Sequence, residues 1–286
     1  MEEQSVENAQ IRELAWSAHS DVGRFRSSNE DAFIALKVNG EGVYRLGKWG
    51  HDSNEQGDFV FAVSDGMGGA NAGDFASRIV VDQIALLFPK VFKTYAAGMA
   101  VYFQDVLSEL LSNIHEGIAR LGASYSELDG MGATLSLCWV HANRVYWAHV
   151  GDSRIYHCRG DEGSQISQLT KDDTHIAWLL EKGEISAYEA RNHPQKNLLQ
   201  QVMGGKTQNL TPQFGEFLLN AKDRFLICSD GLTNGLFDSA INKALADTDS
   251  FKIESEGQLA KALVEQSVLE DGKDNTTALC FQVSEA

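Results

Sequence analysis

Two stretches with helical spacing of apolar residues, AGDFASRIVVDQIALLF (72–88) and MAVYFQDVLSELLSNIHEGIARLG (99–122), follow one another with no strand between them. A parallel βαβ sheet needs a strand after each helix, so this arrangement favours antiparallel sheets covered by helices. Apolar, β-branched runs bounded by turn residues predict strands near 13–19, 32–38, 58–64, 132–140, 143–150, 153–158, 165–169, 214–219, 224–229 and 276–283. A third long helix is expected in SEGQLAKALVEQSVLED (255–271), and two short ones in THIAWLLEKG and SAYEARNH. The simplest architecture is a sandwich with its helices outside. Residues 171–210, with their own short helices and a Gly204-Gly205 break, are expected to form a small mobile flap.

With 286 residues, 43% of them hydrophobic and only 3 prolines, the chain is expected to bury one large core. Its net charge of -16 repels phosphate backbones and anionic headgroups, which argues against nucleic acid or a membrane surface as partner. The acidic, polar tail 1–11 lacks a signal-peptide layout, and no run approaches the ~20 apolar residues of a membrane span. A soluble cytoplasmic protein is the expectation. Cys138, Cys158, Cys228 and Cys280 are far apart and form no CxxC pair, so reduced core cysteines are expected.

Carboxylates recur beside strands. FVFAVSDGMGG places Asp65 after an apolar strand, DRFLICSDGL does the same for Asp230, and GKDNTTALCFQV sets Asp274 just before one. Strand ends of an antiparallel core can converge at one edge, where three carboxylates repel unless a cation neutralises them. Hard oxygen ligands of this kind suit Mg²⁺ or Mn²⁺, and an adjacent glycine lets a backbone carbonyl approach the metal. A tight turn explains any single Asp-Gly equally well.

The ordered blocks RSSNED (26–31), VSDGMGGANAGDFAS (63–77), GMGATLSL (130–137), VGDSRIY (150–156), QLTKDDTH (168–175), CSDGL (228–232) and DNTTA (274–278) resemble the metal-dependent protein phosphatases, the PPM or type 2C family, in its bacterial form. The resemblance covers residues 12–283. It implies an α+β fold, a four-layer α-β-β-α sandwich of two antiparallel sheets flanked by helices. It also implies hydrolysis of phosphoserine and phosphothreonine in proteins by a metal-activated water, opposing serine/threonine kinases. Carried over by position, Asp65 resembles the carboxylate bridging two Mn²⁺ or Mg²⁺ ions, and Gly66 the glycine whose carbonyl reaches the second. Asp230 and Asp274 resemble the remaining ligands of the first ion, and Glu30 and Asp31 acidic residues near the second. Arg26 matches the arginine that holds the substrate phosphate, a role suited to a planar, permanently charged fork. Asp129 and Asp230 are the candidates for a third ion. The expected partners are phosphorylated proteins, among them serine/threonine kinases and their substrates, met by a monomer.

Other readings compete. CWVHANR (138–144) has the Cys-x5-Arg spacing of a covalent phosphatase but lacks the glycines of a phosphate-cradling loop. His149 reads as structural, Asp152 and Ser153 as turn-formers, and Arg154 as the partner of a buried carboxylate. Met67 stands where eukaryotic relatives often carry histidine, so that candidate acid is absent. The stretch 38–58 is longer than a hairpin requires and reads as a recognition loop or a tolerated surface extension. A phosphoprotein-binding scaffold without turnover and a small-molecule phosphatase are the alternative functions.

Overall fold

The structure, a computed structural model, describes residues 12–68, 72–96, 102–160, 165–246 and 258–285. The tail 1–11 and the first residues expected of two helices, 99–101 and 255–257, lie outside these. One sheet is built from β1 (Arg12–Asp21), β4 (Trp49–Ser53), β9 (Arg154–Cys158), β10 (Ile166–Gln168), β13 (Arg224–Cys228) and β14 (Thr276–Glu285), in the order β10-β9-β13-β14-β1-β4. The other holds β2 (Asp31–Val38), β3 (Val43–Arg45), β5 (Asp58–Met67), β6 (Gly132–Ala133), β7 (Leu135–His141), β8 (Arg144–Val150), β11 (Met203–Gly204) and β12 (Gln213–Leu218). Every pairing is antiparallel, as the two consecutive helices imply.

Those helices, α1 (Ala72–Ala96) and α2 (Phe103–Ser124), cover the outer face of the second sheet. There Val80, Ile84, Leu110 and Ile114 pack on Val60, Leu137 and Ala148. The helices α5 (Asp230–Gly235), α6 (Asp238–Ala246) and α7 (Gln258–Glu270) cover the first sheet through Leu232, Ile241 and Leu263. Between the sheets lies a third apolar layer of Trp16, Phe59, Phe61, Phe225 and Phe281. The four layers follow from strand alternation. On β5, Phe59, Phe61 and Val63 enter the inter-sheet layer while Val60 and Ala62 enter the helical one, which is why the run reads as continuously apolar. No helix among the described residues is long and apolar enough to cross a membrane.

Three sequence expectations are refined. The strand carrying Asp65 does not stop before it: β5 continues to Met67, because Gly66 and Met67 pair with Ala133 and Gly132 of β6. The 38–58 stretch is partly woven into the sheets, with β3 on β2 and β4 on β1. Helix α6, not among the helices expected from the sequence, packs on α7 and β9. Residues 171–210 form α3 (His175–Glu181), α4 (Ala187–Asn192) and β11. They are anchored at Asp173, whose backbone N–H donates to Gly151 O at 2.7 Å and whose Oδ2 accepts from Gly151 N–H at 2.8 Å.

Candidate active site

Register brings the first two carboxylates together. Asp31 stands directly opposite Asp65 across the β2–β5 ladder, where facing side chains lie about 4.5–5.5 Å apart at Cβ and like charges destabilise the pair. Thr134, at the break between β6 and β7, fixes Asp65. Its N–H donates to Asp65 O at 2.8 Å, and its hydroxyl accepts from Asp65 N–H at 3.0 Å. Asp230 enters from the first turn of α5, directly after β13, and Asp274 from the approach to β14. The chain's two sheets thus deliver their acidic ends to one edge.

The loop carrying Arg26 and Glu30 is stitched to that edge by Asn275. Its Oδ1 accepts Glu30 N–H at 2.8 Å, and its Nδ2 donates to Val22 O and Ser28 O, each at 2.9 Å. Arg26 then reaches Asp274, Nη2 donating to Oδ2 at 2.9 Å and lying 2.8 Å from Oδ1 as an ion pair. Gly66 is required sterically. A Cβ there would lie 2.0 Å from Gly73 O and 2.9 Å from Glu30 O, so any side chain would separate α1 from β5.

Arg26, Glu30, Asp65, Gly66, Asp230 and Asp274 line one cavity of about 410 Å³, together with Asp152, Thr134 and Asn197. Asp31 lies buried beside it, its Oδ2 accepting from the Ser229 hydroxyl at 2.7 Å. Asp129 is not brought there: it caps a short 3-10 turn, is exposed, and lies outside the residues lining the cavity. Asp152, read from sequence as a turn-former, is a wall of the cavity. Its signal was present, since VGDSR repeats the apolar-strand-then-Asp pattern with the glycine before the aspartate. Asn197 and Asn275 gave no such signal, because an amide that donates across the fold looks like any surface asparagine. His149 is structural as expected, bonded to the Ser136 hydroxyl and Gly151 O, and Arg154 pairs with Asp172 at 2.6 Å.

The electrostatics follow from burial of like charges. Burial raises the Asp31 carboxyl to about 7 and Asp230 to about 6, with neighbouring aspartates adding to both. Burial and the charges of Asp31, Asp230, Asp152 and Asp274 hold Asp65 well above the usual carboxylate range. Glu30 is raised by burial against the opposing pull of Arg26, whose own guanidinium is strengthened by its bond to Asp274. Cys138, by contrast, is buried in β7 with its thiol pushed up by burial, so the Cys-x5-Arg spacing belongs to a strand and turn.

Among the described residues no group of three or more His, Cys, Asp or Glu side chains stands as a ready-made metal cage. Asp274 is engaged by Arg26, and Asp230 by two amides. The donors nevertheless fit a hard cation. Asp31 Oδ1 and Asp230 Oδ1 are buried without a partner, which is costly for a carboxylate oxygen unless something positive reaches it. A Cβ at Gly73 would lie 2.9 Å from both Glu30 Oε2 and Gly66 O, so the absence of a side chain there leaves these two oxygens facing one small space.

The family model for protein phosphatase 2C matches residues 47–266. The serine/threonine protein phosphatase PstP of Mycobacterium tuberculosis is 32% identical over 273 residues, which is 94% of this chain and 45% of that relative. This chain thus spans less than half the length of that protein. The protein phosphatase PhpP of Streptococcus pneumoniae is 33% identical over 222 residues, 78% of this chain and 80% of the relative. A solved catalytic domain of PstP in complex with two manganese ions superposes with a TM-score of 0.72 at 29% identity, over 96% of this chain and all of that one. With the match to the family model running through most of its length, the chain belongs to the protein phosphatase 2C family.

Proposed function

We propose that this protein removes phosphate from phosphoserine and phosphothreonine side chains of other proteins, opposing serine/threonine kinases, with a pair of divalent cations, Mn²⁺ or Mg²⁺. The observation that carries this reading is the convergence of Asp31, Asp65, Asp152 and Asp230, buried, with the half-buried Asp274, five carboxylates that Arg26 at Asp274, Arg154 near Asp152 and Lys196 near Asp230 only partly offset. The names of the relatives and the two manganese ions of the PstP structure support it.

In this reading Asp65, Asp230 and Asp274 hold the cations with Gly66 O, while Glu30 and Asp31 flank them. When bound, the cations neutralise phosphoryl oxygens and lower the pKa of a water poised for in-line attack. The protein's own part is placement. Thr134 clamps Asp65 on both sides of its peptide, and Asn275 holds the 22–30 loop so that Arg26 stands at the cavity mouth. Its half-exposed guanidinium can turn from Asp274 to grip two phosphate oxygens. A third cation would need Asp129 beside Asp230. The exposed Asp129 lies outside the cavity that Asp230 lines, so the proposal is confined to two.

The test is turnover of a phosphothreonine peptide by the wild type and Asp230→Ala with Mn²⁺, with Mg²⁺ and with chelator. Metal-dependent hydrolysis is expected. In the variant it should fall by more than the about 10–100-fold that loss of an outer-shell partner costs. A folded wild type that binds the peptide without turnover under either metal would replace the enzyme by a phosphoprotein-binding scaffold.

A further inference from the structure

The catalytic cavity shares a wall with a second cleft. This one, of about 730 Å³, lies between α3–α4 and α5–α6, and Asp152, Asn197 and Asp230 line both. Along that wall the 171–210 segment grips α5 in three places. Arg191 Nη2 donates to the backbone oxygen of Asn234 at 2.8 Å, its guanidinium lying 3.9 Å from the centre of the Phe237 ring. Lys196 Nζ donates to Asn234 Oδ1, and Asn197 Nδ2 donates to Asp230 Oδ2 at 2.9 Å. From α5 itself, Asn234 Nδ2 donates to the same Asp230 oxygen at 3.2 Å.

The orientation of Asn234 is fixed by chemistry. An ammonium group can only donate, so Asn234 must give its oxygen to Lys196, which turns its amide N–H toward Asp230. Two amide donors from different parts of the chain therefore occupy one oxygen of Asp230. The other, Oδ1, is buried and has no partner.

We infer that Asn197 and Asn234 are positioning residues for the divalent cation: they hold Asp230 in the rotation that keeps Oδ1 free, and Asn197 makes cation affinity depend on docking of the 171–210 segment. This rests on the reading of Asp230 as a ligand. A carboxylate held in advance need not be ordered when the cation arrives, and partners of this kind commonly account for 10–100-fold in metal affinity. Linkage makes the effect reciprocal, so the bound cation tightens the segment in its turn.

The test is calorimetric titration of the chelator-treated protein with Mn²⁺ alone, for wild type, Asn197→Ala and Asn192→Ala. Asn192 lines the same cleft, but its amide donates to Tyr188 O within α4. Asn197→Ala is expected to weaken Mn²⁺ binding about 10–100-fold while the cation-free melting temperature stays at the wild-type value. Asn192→Ala should bind as wild type. Amide exchange within 171–210 should slow on adding Mn²⁺ to wild type and not to Asn197→Ala at the same concentration. Wild-type affinity in Asn197→Ala, or an equal loss in Asn192→Ala, would overturn the inference and leave the metal reading standing. A wild type that binds no Mn²⁺ would overturn both.

Discussion

Arg26 stands at the mouth of the cavity with about half its side chain exposed, bound through one nitrogen to both oxygens of Asp274. What matters there is the fork. Two parallel N–H donors can meet two phosphate oxygens, whereas the ammonium of a lysine meets them as a point charge. Arg26→Ala is expected to lower kcat/KM for a phosphothreonine peptide by about tenfold to a hundredfold, the equivalent of the ~1.5–3 kcal/mol of a hydrogen bond to a charged group. Arg26→Lys should recover only part of this. Steady-state kinetics at saturating Mn²⁺ would check both, and full activity in Arg26→Lys would remove the fork from the account. Asp65, Asp230 and Asp274 were legible in the sequence because each sits where an apolar run meets a turn. Asp152 carried the same sign and was read as turn chemistry alone. Asn197, Asn234 and Asn275 were illegible, since each acts through an amide whose acceptor lies 33, 4 and about 250 positions away, and only the folded chain selects that acceptor.

At the scale of the element, β5 joins the site to the core. Its Phe61 is fully buried and stacks on Phe281 at 4.7 Å between ring centres, with Trp16 at 6.3 Å, so it ties β5 of one sheet to β14 and β1 of the other. Phe61→Ala should therefore cost about 3–5 kcal/mol of stability, measured by urea unfolding. A loss below ~1 kcal/mol would mean that the inter-sheet layer closes around the gap. The strands and long helices were legible from periodicity because burial acts on them residue by residue. Their ends were less so. β5 runs through Asp65 because β6 offers Gly66 and Met67 a partner more than 60 residues later, and α6 forms because α7 and β9 cover its short apolar face. Neither cause is local.

For the whole molecule, a buried group of acids inside a chain of net charge -16 makes stability depend on protons and cations together. Asp31 at about 7 and Asp230 at about 6 both lie above the ordinary value of 3.8. The folded, cation-free protein therefore holds more protons at these sites than the unfolded chain does between about pH 4 and about pH 7. Their contribution to stability is complete below that window and is lost as pH rises through 6 and 7. Asp31→Asn keeps the shape and an acceptor for the Ser229 hydroxyl while removing the charge. Without cations it is expected to melt above wild type at about pH 8, by a smaller margin at about pH 5, and level with it only below about pH 4. A variant melting below wild type at the higher pH would show that Asp31 is stabilised as an anion.

The six-stranded sheet sets a further condition, this one in time. β1 pairs along its whole length with β14, from Arg12 opposite Glu285 to Asp21 opposite Thr276, and β14 also flanks β13. A chain growing from its N-terminus thus makes β1 early and leaves it without that neighbour until every other element of the fold has been made. Asp274 and Asn275, just ahead of β14, arrive at the same late moment, so a nascent chain that stops short has neither the closed sheet nor the Asn275 clasp that brings Arg26 to the carboxylates. Pairings this distant in sequence make folding slow. They also mean that the carboxylate site is assembled only once β14 and the residues just ahead of it have been made.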